Sequence, residues 1–195
     1  MQGIELVLPA LILTAYLLGS LPTAILVCHS MGIRDPRQQG SGNPGTSNVL
    51  RVGNRLAALF TLIGDMGKGI LATLPAIWLQ LPVLEQGFCA AAALLGHIYP
   101  LYTRFQGGKG VATFFGCCLA LHWPTGILQV IFWLLMFSVG RIASLASIST
   151  ALVTPLFVWL LAPQLMGMIC LMGIILMLTH RENIEKLLAG EESRF

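Results

Sequence analysis

A run of small and polar residues, GSGNPGTSN at positions 40–48, interrupts an otherwise apolar sequence and is suited to binding an anion. Glycines such as Gly40 and Gly42 allow a positive φ, and consecutive exposed N–H groups form a concavity for an anion. Arg51 follows with a guanidinium whose donors match a phosphate. The side chains predicted to add donors are Ser41, Asn43, Ser47 and Asn48. A plain connecting loop is the alternative, because the same residue types dominate turns.

A second candidate anion site is the segment Gly107-Gly108-Lys109-Gly110, which precedes an apolar run. Glycine N–H groups and a lysine at a helix N-terminus stabilise an anion, and Thr113 adds a hydroxyl in the first turn. A nucleotide-binding P-loop is excluded because the GxxxxGK[ST] spacing fails: position 103 is threonine and position 110 is glycine. The alternative is a basic turn that anchors the helix to lipid headgroups.

His180 and Asn183 form a third candidate, directly after the last apolar run. Residues at this spacing share one face of a continuing helix. Histidine titrates near neutrality, which makes His180 a candidate general base. The alternative is the polar end of an interfacial helix.

Further polar groups lie within or beside the apolar runs. Asp65 and Lys68 are expected to neutralise each other, since charges inside a membrane are costly and by default functional or paired. His97 is expected to be a structural hydrogen-bonding group, or otherwise to support the site residues. Ser144 and Ser147 share a helix face, where they either line the site or let helices pack closely.

The composition places these segments in a membrane protein. Of the 195 residues 56% are hydrophobic and 10% are charged, against about 25% charged in an average soluble domain. Mean hydropathy is +0.81 and the net charge is +3. So few charges exclude an ordinary cytosolic enzyme, a disordered chain and a nucleic-acid binder with a broad basic surface.

The apolar runs predict an all-α, polytopic bundle of seven transmembrane helices in a single domain, residues 1–195. A span needs about 20 apolar residues, so the shorter runs must tilt or thin the bilayer. The N-terminus is predicted outside and the C-terminus in the cytoplasm. The runs are residues 4–31, 56–80, 87–101, 111–121, 126–139, 142–161 and 165–179.

The distribution of Lys and Arg decides the span count. Cytoplasmic loops carry the excess of basic residues in membrane proteins. With seven spans, ten of the 11 cations face the cytoplasm, and only Lys68 remains, inside a span. Merging residues 111–139 into one span would leave four of these cations outside. Five cysteines are scattered without ligand spacing, so neither a disulfide nor a metal site is predicted.

The order of these motifs resembles one bacterial enzyme family. The stretches GSGNPGTSNVLR, GHIYPLYTRFQGGKGVAT, SLAS and HRENIEKLLAGEE, in a seven-span chain of this length, are similar to the acyl-phosphate:glycerol-3-phosphate acyltransferases, the PlsY family. The resemblance implies transfer of a fatty acyl group from acyl phosphate to the 1-hydroxyl of glycerol 3-phosphate. The products are lysophosphatidic acid and phosphate, in the first acylation of phospholipid synthesis.

The resemblance also implies a bacterial inner-membrane protein whose site faces the cytoplasm. It implies no metal, no cofactor and no nucleic-acid partner, with membrane lipids as surroundings and a monomer as the expected state. Residues carried over as catalytic are Ser41, Arg51, Lys109, His180 and Asn183. Substrate-binding roles fall on Gly40, Gly42, Asn43, Asn48, Gly107, Gly108, Gly110, Thr113, Ser144 and Ser147, supported by Asp65, Lys68 and His97.

One departure from the family concerns the first loop. The family usually reads GATN where this chain reads Gly45-Thr46-Ser47-Asn48, so Thr46 adds bulk where alanine is expected. Ser47 keeps the hydroxyl. The pattern of charges is unaffected.

The implied reaction requires little covalent chemistry from the protein. Acyl phosphate is a mixed anhydride with a good leaving group, so the main task is to orient two anions. Lys109 and Arg51 would screen their repulsion and stabilise developing charge. The base stays open between His180 and the donor's own phosphate, which is preferred. A nucleophilic Ser41 is disfavoured because no base is evident next to it.

Two other classes fit parts of the pattern. A small anion channel or phosphate transporter would also carry cytoplasmic cations, but it predicts polar residues along several spans, and the outer halves of these spans are nearly uncharged. A membrane scaffold that binds headgroups gives no reason for the glycines beside Lys109 or for the pair His180 and Asn183. Acyl transfer is therefore the preferred function.

Overall fold

The structure, a computed structural model, describes residues 2–195, with side chains from Val7 onward. The predicted exterior position of Met1 lies outside the described residues. Within them every regular element is helical, which confirms the all-α expectation. The α-helices are α1 (Gln2–Gly19), α2 (Thr23–Ser30), α3 (Thr46–Val52), α4 (Arg55–Trp78), α5 (Val83–Ile98), α6 (Val111–Leu121), α7 (Trp123–Gly140), α8 (Ala143–Leu161), α9 (Met166–Thr179) and α10 (Arg181–Ala189).

In the described chain four helical segments are long and apolar enough to cross a membrane, or five if one bent pair counts as a span. The four are Val7–Ser30, α4, α7 and α8, and the bent pair is Pro163–Thr179 with α10, at an angle of 60°. Helix α6 is apolar but has only 11 residues, and α5 has 16. The fold is therefore a multi-pass helical bundle, and the count of seven stays a prediction.

The first predicted span is interrupted, since residues 4–31 form α1 and α2 rather than one helix. Pro22 stands at the break, and proline lacks the N–H that a continuous helix needs. Ser20 ends α1 by donating from both its amide and its hydroxyl to the Tyr16 carbonyl, at 2.9 and 2.8 Å. At the break the Leu21 carbonyl accepts from the Thr23 amide at 2.9 Å, and its second lone pair is open to a partner on another helix.

Small residues bring the central helices into close contact. A Cβ at Gly96 of α5 would lie 2.2 Å from the Tyr16 carbonyl oxygen of α1. A Cβ at Gly116 of α6 would lie 2.0 Å from the Met66 carbonyl oxygen of α4. Such contacts are typical of helices packed within lipid, where close backbone approach replaces the hydrophobic driving force. They fix α5 and α6, whose adjoining ends carry the glycine–lysine segment.

The exterior of the bundle is apolar. Large hydrophobic side chains such as Trp78, Val139 and Leu178 are 70% exposed or more (74%, 86% and 70%). An apolar surface of this extent does not occur on ordinary soluble monomers and indicates contact with lipid.

Candidate active site

The first polar loop is organised by the buried side chain of Asn48 on α3. Its Nδ2 donates to the carbonyls of Pro36 and Gln39, at 2.8 and 3.0 Å. Its Oδ1 accepts from the Ser41 amide at 2.9 Å. Gly40, at φ +58°, approaches so closely that a Cβ would lie 2.2 Å from Asn48 Oδ1. Asn48, predicted as a substrate donor, is therefore fully engaged in shaping the loop.

Arg51 lies one turn further along α3, with its side chain exposed. Its guanidinium carbon is 4.7 Å from the centre of the Phe195 ring. Phe195 is held in turn by its amide, which donates to the Arg141 carbonyl at 2.8 Å. The C-terminal segment thus crosses from the turn between α7 and α8 to the first loop.

The glycine–lysine segment fixes Lys109 at both its backbone and its side chain. Thr179 at the end of α9 donates its hydroxyl to the Lys109 carbonyl at 3.0 Å. The ammonium of Lys109 donates to Asn183 Oδ1 on α10. Gly110 begins α6 at φ +89°, which favours glycine. The second and third motifs therefore contact each other.

Burial lowers the pKa of the Lys109 ammonium from its ordinary value. The carboxylates of Glu192 and Glu182 act in the opposite direction, and Lys186 adds to the lowering. Less water around the ammonium strengthens its interaction with a bound anion.

His180 is buried between α9 and α10, 3% exposed. Its Nδ1 lies 2.8 Å from the Leu176 carbonyl oxygen, which fixes the proton on Nδ1 and leaves Nε2 as an acceptor in the neutral ring. Burial is the main cause that lowers the pKa of His180 to about 4, and the nearby Lys109 contributes in the same direction. At neutral pH the ring is uncharged.

A pH titration of stability tests this environment. The ordinary pKa of histidine is 6.5 and that of His180 is about 4, so between these values the unfolded chain binds a proton that the folded chain does not. Stability from this group is present above that window and is lost as the pH falls through it. We expect the unfolding temperature to fall less steeply on acidification in His180→Asn than in the wild type. The exposed His29→Asn is the control, and equal slopes in all three proteins would contradict the prediction.

Glu192 joins the C-terminal segment to the third motif. Its Oε1 accepts from Ser144 Oγ at 2.6 Å and from Asn183 Nδ2 at 2.7 Å. Glu192 belongs to the tail motif HRENIEKLLAGEE, whose sequence predicts no role for it. A single acid in a polar tail has no diagnostic spacing, so only the structure reveals it.

The remaining predicted residues differ in their surroundings. Ser147, predicted with Ser144, accepts from Trp133 Nε1 at 2.9 Å and thereby links α7 to α8. Thr113 is fully buried, and its hydroxyl has no hydrogen-bond partner among the described residues. Ser41 is exposed, and its hydroxyl accepts from the Asn43 amide at 3.4 Å.

Asp65, Lys68 and His97 are buried together beneath the glycine–lysine segment. Among the side chains that the structure describes, from Val7 to Phe195, no three His, Cys, Asp or Glu could hold a metal ion.

Fold and site together define a multi-pass helical membrane protein with a cationic polar cluster where several helices end. The chain matches the family described as "Glycerol-3-phosphate acyltransferase" over residues 9–190. It is 47% identical over 186 residues to the glycerol-3-phosphate acyltransferase of Pseudomonas aeruginosa, covering 95% of this chain and 98% of the relative. The enzyme of that name from Glaesserella parasuis is 44% identical, covering 94% and 91%. The chain therefore belongs to the glycerol-3-phosphate acyltransferase family, which confirms the resemblance.

Solved structures agree with this assignment. The crystal structure of PlsY (YgiH), an integral membrane glycerol 3-phosphate acyltransferase, in its glycerol 3-phosphate form superposes with a TM-score of 0.90. The two chains are 33% identical, and the match covers 96% of this chain and 95% of that chain. The lysophosphatidic acid form of the same protein gives a TM-score of 0.89 at 32% identity.

Proposed function

We propose that this chain transfers a fatty acyl group from acyl phosphate to the 1-hydroxyl of glycerol 3-phosphate, releasing lysophosphatidic acid and phosphate. The observation that carries the proposal is the contact between Lys109 and Asn183, which unites two predicted anion motifs in a fold shared with PlsY. Both substrates carry phosphate, and one carries an acyl tail suited to the apolar bundle.

The chemistry is attack of the glycerol hydroxyl oxygen on the carbonyl carbon of the acyl phosphate. The new ester C–O bond forms as the bond from that carbon to the phosphate oxygen breaks, and phosphate leaves. We assign to Lys109 the role of holding phosphate and of stabilising charge that develops during the transfer, as fixed donors do in a water-poor site. Arg51 supplies a second cation at the first loop.

His180 is suited to orient the hydroxyl. With Nδ1 bonded to the Leu176 carbonyl, Nε2 of the neutral ring can accept the hydrogen bond of the attacking hydroxyl. A group with a pKa of about 4 is a weak base at neutral pH. We therefore assign final acceptance of the proton to the departing phosphate, with His180 holding the hydroxyl in line.

The same proposal includes the topology. Seven spans with the N-terminus outside put ten of the 11 cations on the cytoplasmic side of a bacterial inner membrane, and the site faces that side. This arrangement supports access of water-soluble glycerol 3-phosphate from the cytoplasm. Residues 1–195 act as one domain, and a monomer contains every proposed site residue.

The deciding experiment supplies purified protein in lipid vesicles with acyl phosphate and glycerol 3-phosphate. We expect lysophosphatidic acid and phosphate to appear in equal amounts, and acyl-CoA to be inactive as donor. Transfer from acyl-CoA alone would overturn the donor assignment. Phosphate or glycerol 3-phosphate uptake into the vesicles without acyl transfer would replace the proposal with transport.

A further inference from the structure

Two charged side chains and a histidine are buried together on α4 and α5, away from the Lys109 cluster. Asp65, Lys68 and His97 are 2%, 5% and 6% exposed. Asp65 Oδ1 lies 2.9 Å from Lys68 Nζ and 3.4 Å from His97 Nδ1. Asp65 and Lys68 meet because their spacing puts them on one face of α4. Burying charge costs free energy even when the charges are paired, so the group calls for a reason beyond packing.

Lys68 attaches this buried group to the break in the first span. Its Nζ donates to the Leu21 carbonyl at 2.9 Å, where the backbone leaves the α1 helix. The ammonium thus forms an ion pair with the Asp65 carboxylate and donates to the Leu21 carbonyl, which also accepts from the Thr23 amide at 2.9 Å. One side of the group is therefore anchored to α1 and α2.

His97 contacts the backbone of the glycine–lysine segment, residues 107–110. Its carbonyl accepts from the Gly108 amide at 3.1 Å. A Cβ at Gly108 would lie 2.3 Å from His97 Nε2, and a Cβ at Gly107 would lie 2.1 Å from the His97 carbonyl oxygen. The backbone immediately before Lys109 therefore rests on both the ring and the carbonyl of His97.

A cavity connects this group to both phosphate-binding loops. Asp65, Lys68 and His97 line it together with Pro44 of the first loop and Gly108 of the second. A shift of the His97 ring would therefore reach the glycine–lysine segment directly.

We propose that Asp65, Lys68 and His97 are positioning residues for Lys109. Lys68 holds Asp65 against the α1–α2 break, the Asp65 carboxylate orients the His97 ring by electrostatic contact at 3.4 Å without a hydrogen bond, and the ring and carbonyl of His97 hold Gly107 and Gly108. Lys109 is then held in one position, where its ammonium donates to Asn183 and its carbonyl accepts from Thr179. This inference rests on the proposed function for its effect on catalysis, but not for its effect on the loop.

The test combines amide hydrogen exchange with kinetics in His97→Ala. We expect exchange in residues 106–110 to become faster while the rest of the bundle is unchanged. The KM for glycerol 3-phosphate should rise roughly 10-fold or more, as expected for misplacement of a binding group, with a smaller change in kcat. His122→Ala, at the far end of α6, is the matched control and should leave both measurements unchanged.

A double variant keeps the test decisive if His97→Ala does not fold. Asp65→Asn with Lys68→Met removes both charges, so no buried charge is left unpaired, and it should speed exchange in the same segment. Unchanged exchange in residues 106–110, or faster exchange spread evenly over the protein, would overturn the inference. Faster local exchange with an unchanged KM would support the positioning role and count against the phosphate role of Lys109.

Discussion

Replacing Lys109 with methionine is expected to lower kcat/KM for glycerol 3-phosphate by roughly 10²- to 10³-fold, the usual effect of removing one charge-stabilising donor. Methionine keeps the length of the side chain but carries no charge. Lys109 is held by Asn183 and Thr179, so its charge is already in place before substrate binds. Phosphate release in the vesicle assay measures the effect, and the unfolding temperature verifies the fold.

The matched control is Lys186→Met on α10. Lys186 is exposed and lies beyond the cluster on the last helix. It interacts with Lys109 only through repulsion at a distance. We expect Lys186→Met to keep nearly full activity. A Lys109→Met protein that folds and works as well as this control would refute the assignment of Lys109 as the central cation.

The sequence predicts the members of the site better than the contacts among them. Lys109 and Asn183 were predicted from separate motifs 74 positions apart, and no spacing rule states that they touch. Their meeting depends on where α6 begins and α9 ends, which tertiary packing decides. Glu192 was not predicted as a site residue, because a single acid has no diagnostic spacing and its partner Ser144 lies 48 positions away.

Ser144, Ser147 and Asn48 show a second limit of prediction from the sequence, which does not identify the partner of each side chain. Ser144 and Ser147 have the spacing of one helix face, yet Ser144 binds Glu192 and Ser147 binds Trp133. Helix periodicity gives a face but not the neighbour that each position meets. Asn48 likewise has the composition of a ligand donor, and its burial among three backbone partners could not be read from the loop's residue types.

The break in the first span shows that one proline and the mean hydropathy of a long apolar run can predict different structures. Pro22 is visible in the sequence, but a proline inside a long apolar run does not by itself end a span. The structure separates α1 from α2 at this proline, and the Leu21 carbonyl at the break accepts from Lys68. That partner belongs to a helix 47 residues away, so the sequence near residue 22 contains no sign of it.

Replacing Arg51 with alanine is expected to lower kcat/KM by about 100-fold, since a guanidinium fork binds phosphate through two charge-assisted hydrogen bonds. Among the described residues no carboxylate pairs with Arg51. The guanidinium carbon lies over the Phe195 ring, 4.7 Å from the ring centre, and this cation–π contact leaves the positive charge of Arg51 for an anion. Separate titration of the two substrates measures which KM rises.

Arg55→Ala is the matched control, because Arg55 is an equally exposed arginine at the start of α4. It removes the same charge near the same loop and should leave both KM values unchanged. Arg51→Lys should recover only part of the loss, since lysine offers a point charge in place of the planar fork. If Arg51→Ala matches Arg55→Ala, the first loop contributes only general positive charge. If the KM for one substrate alone rises, Arg51 binds the phosphate of that substrate, and Lys109 is left to hold the other.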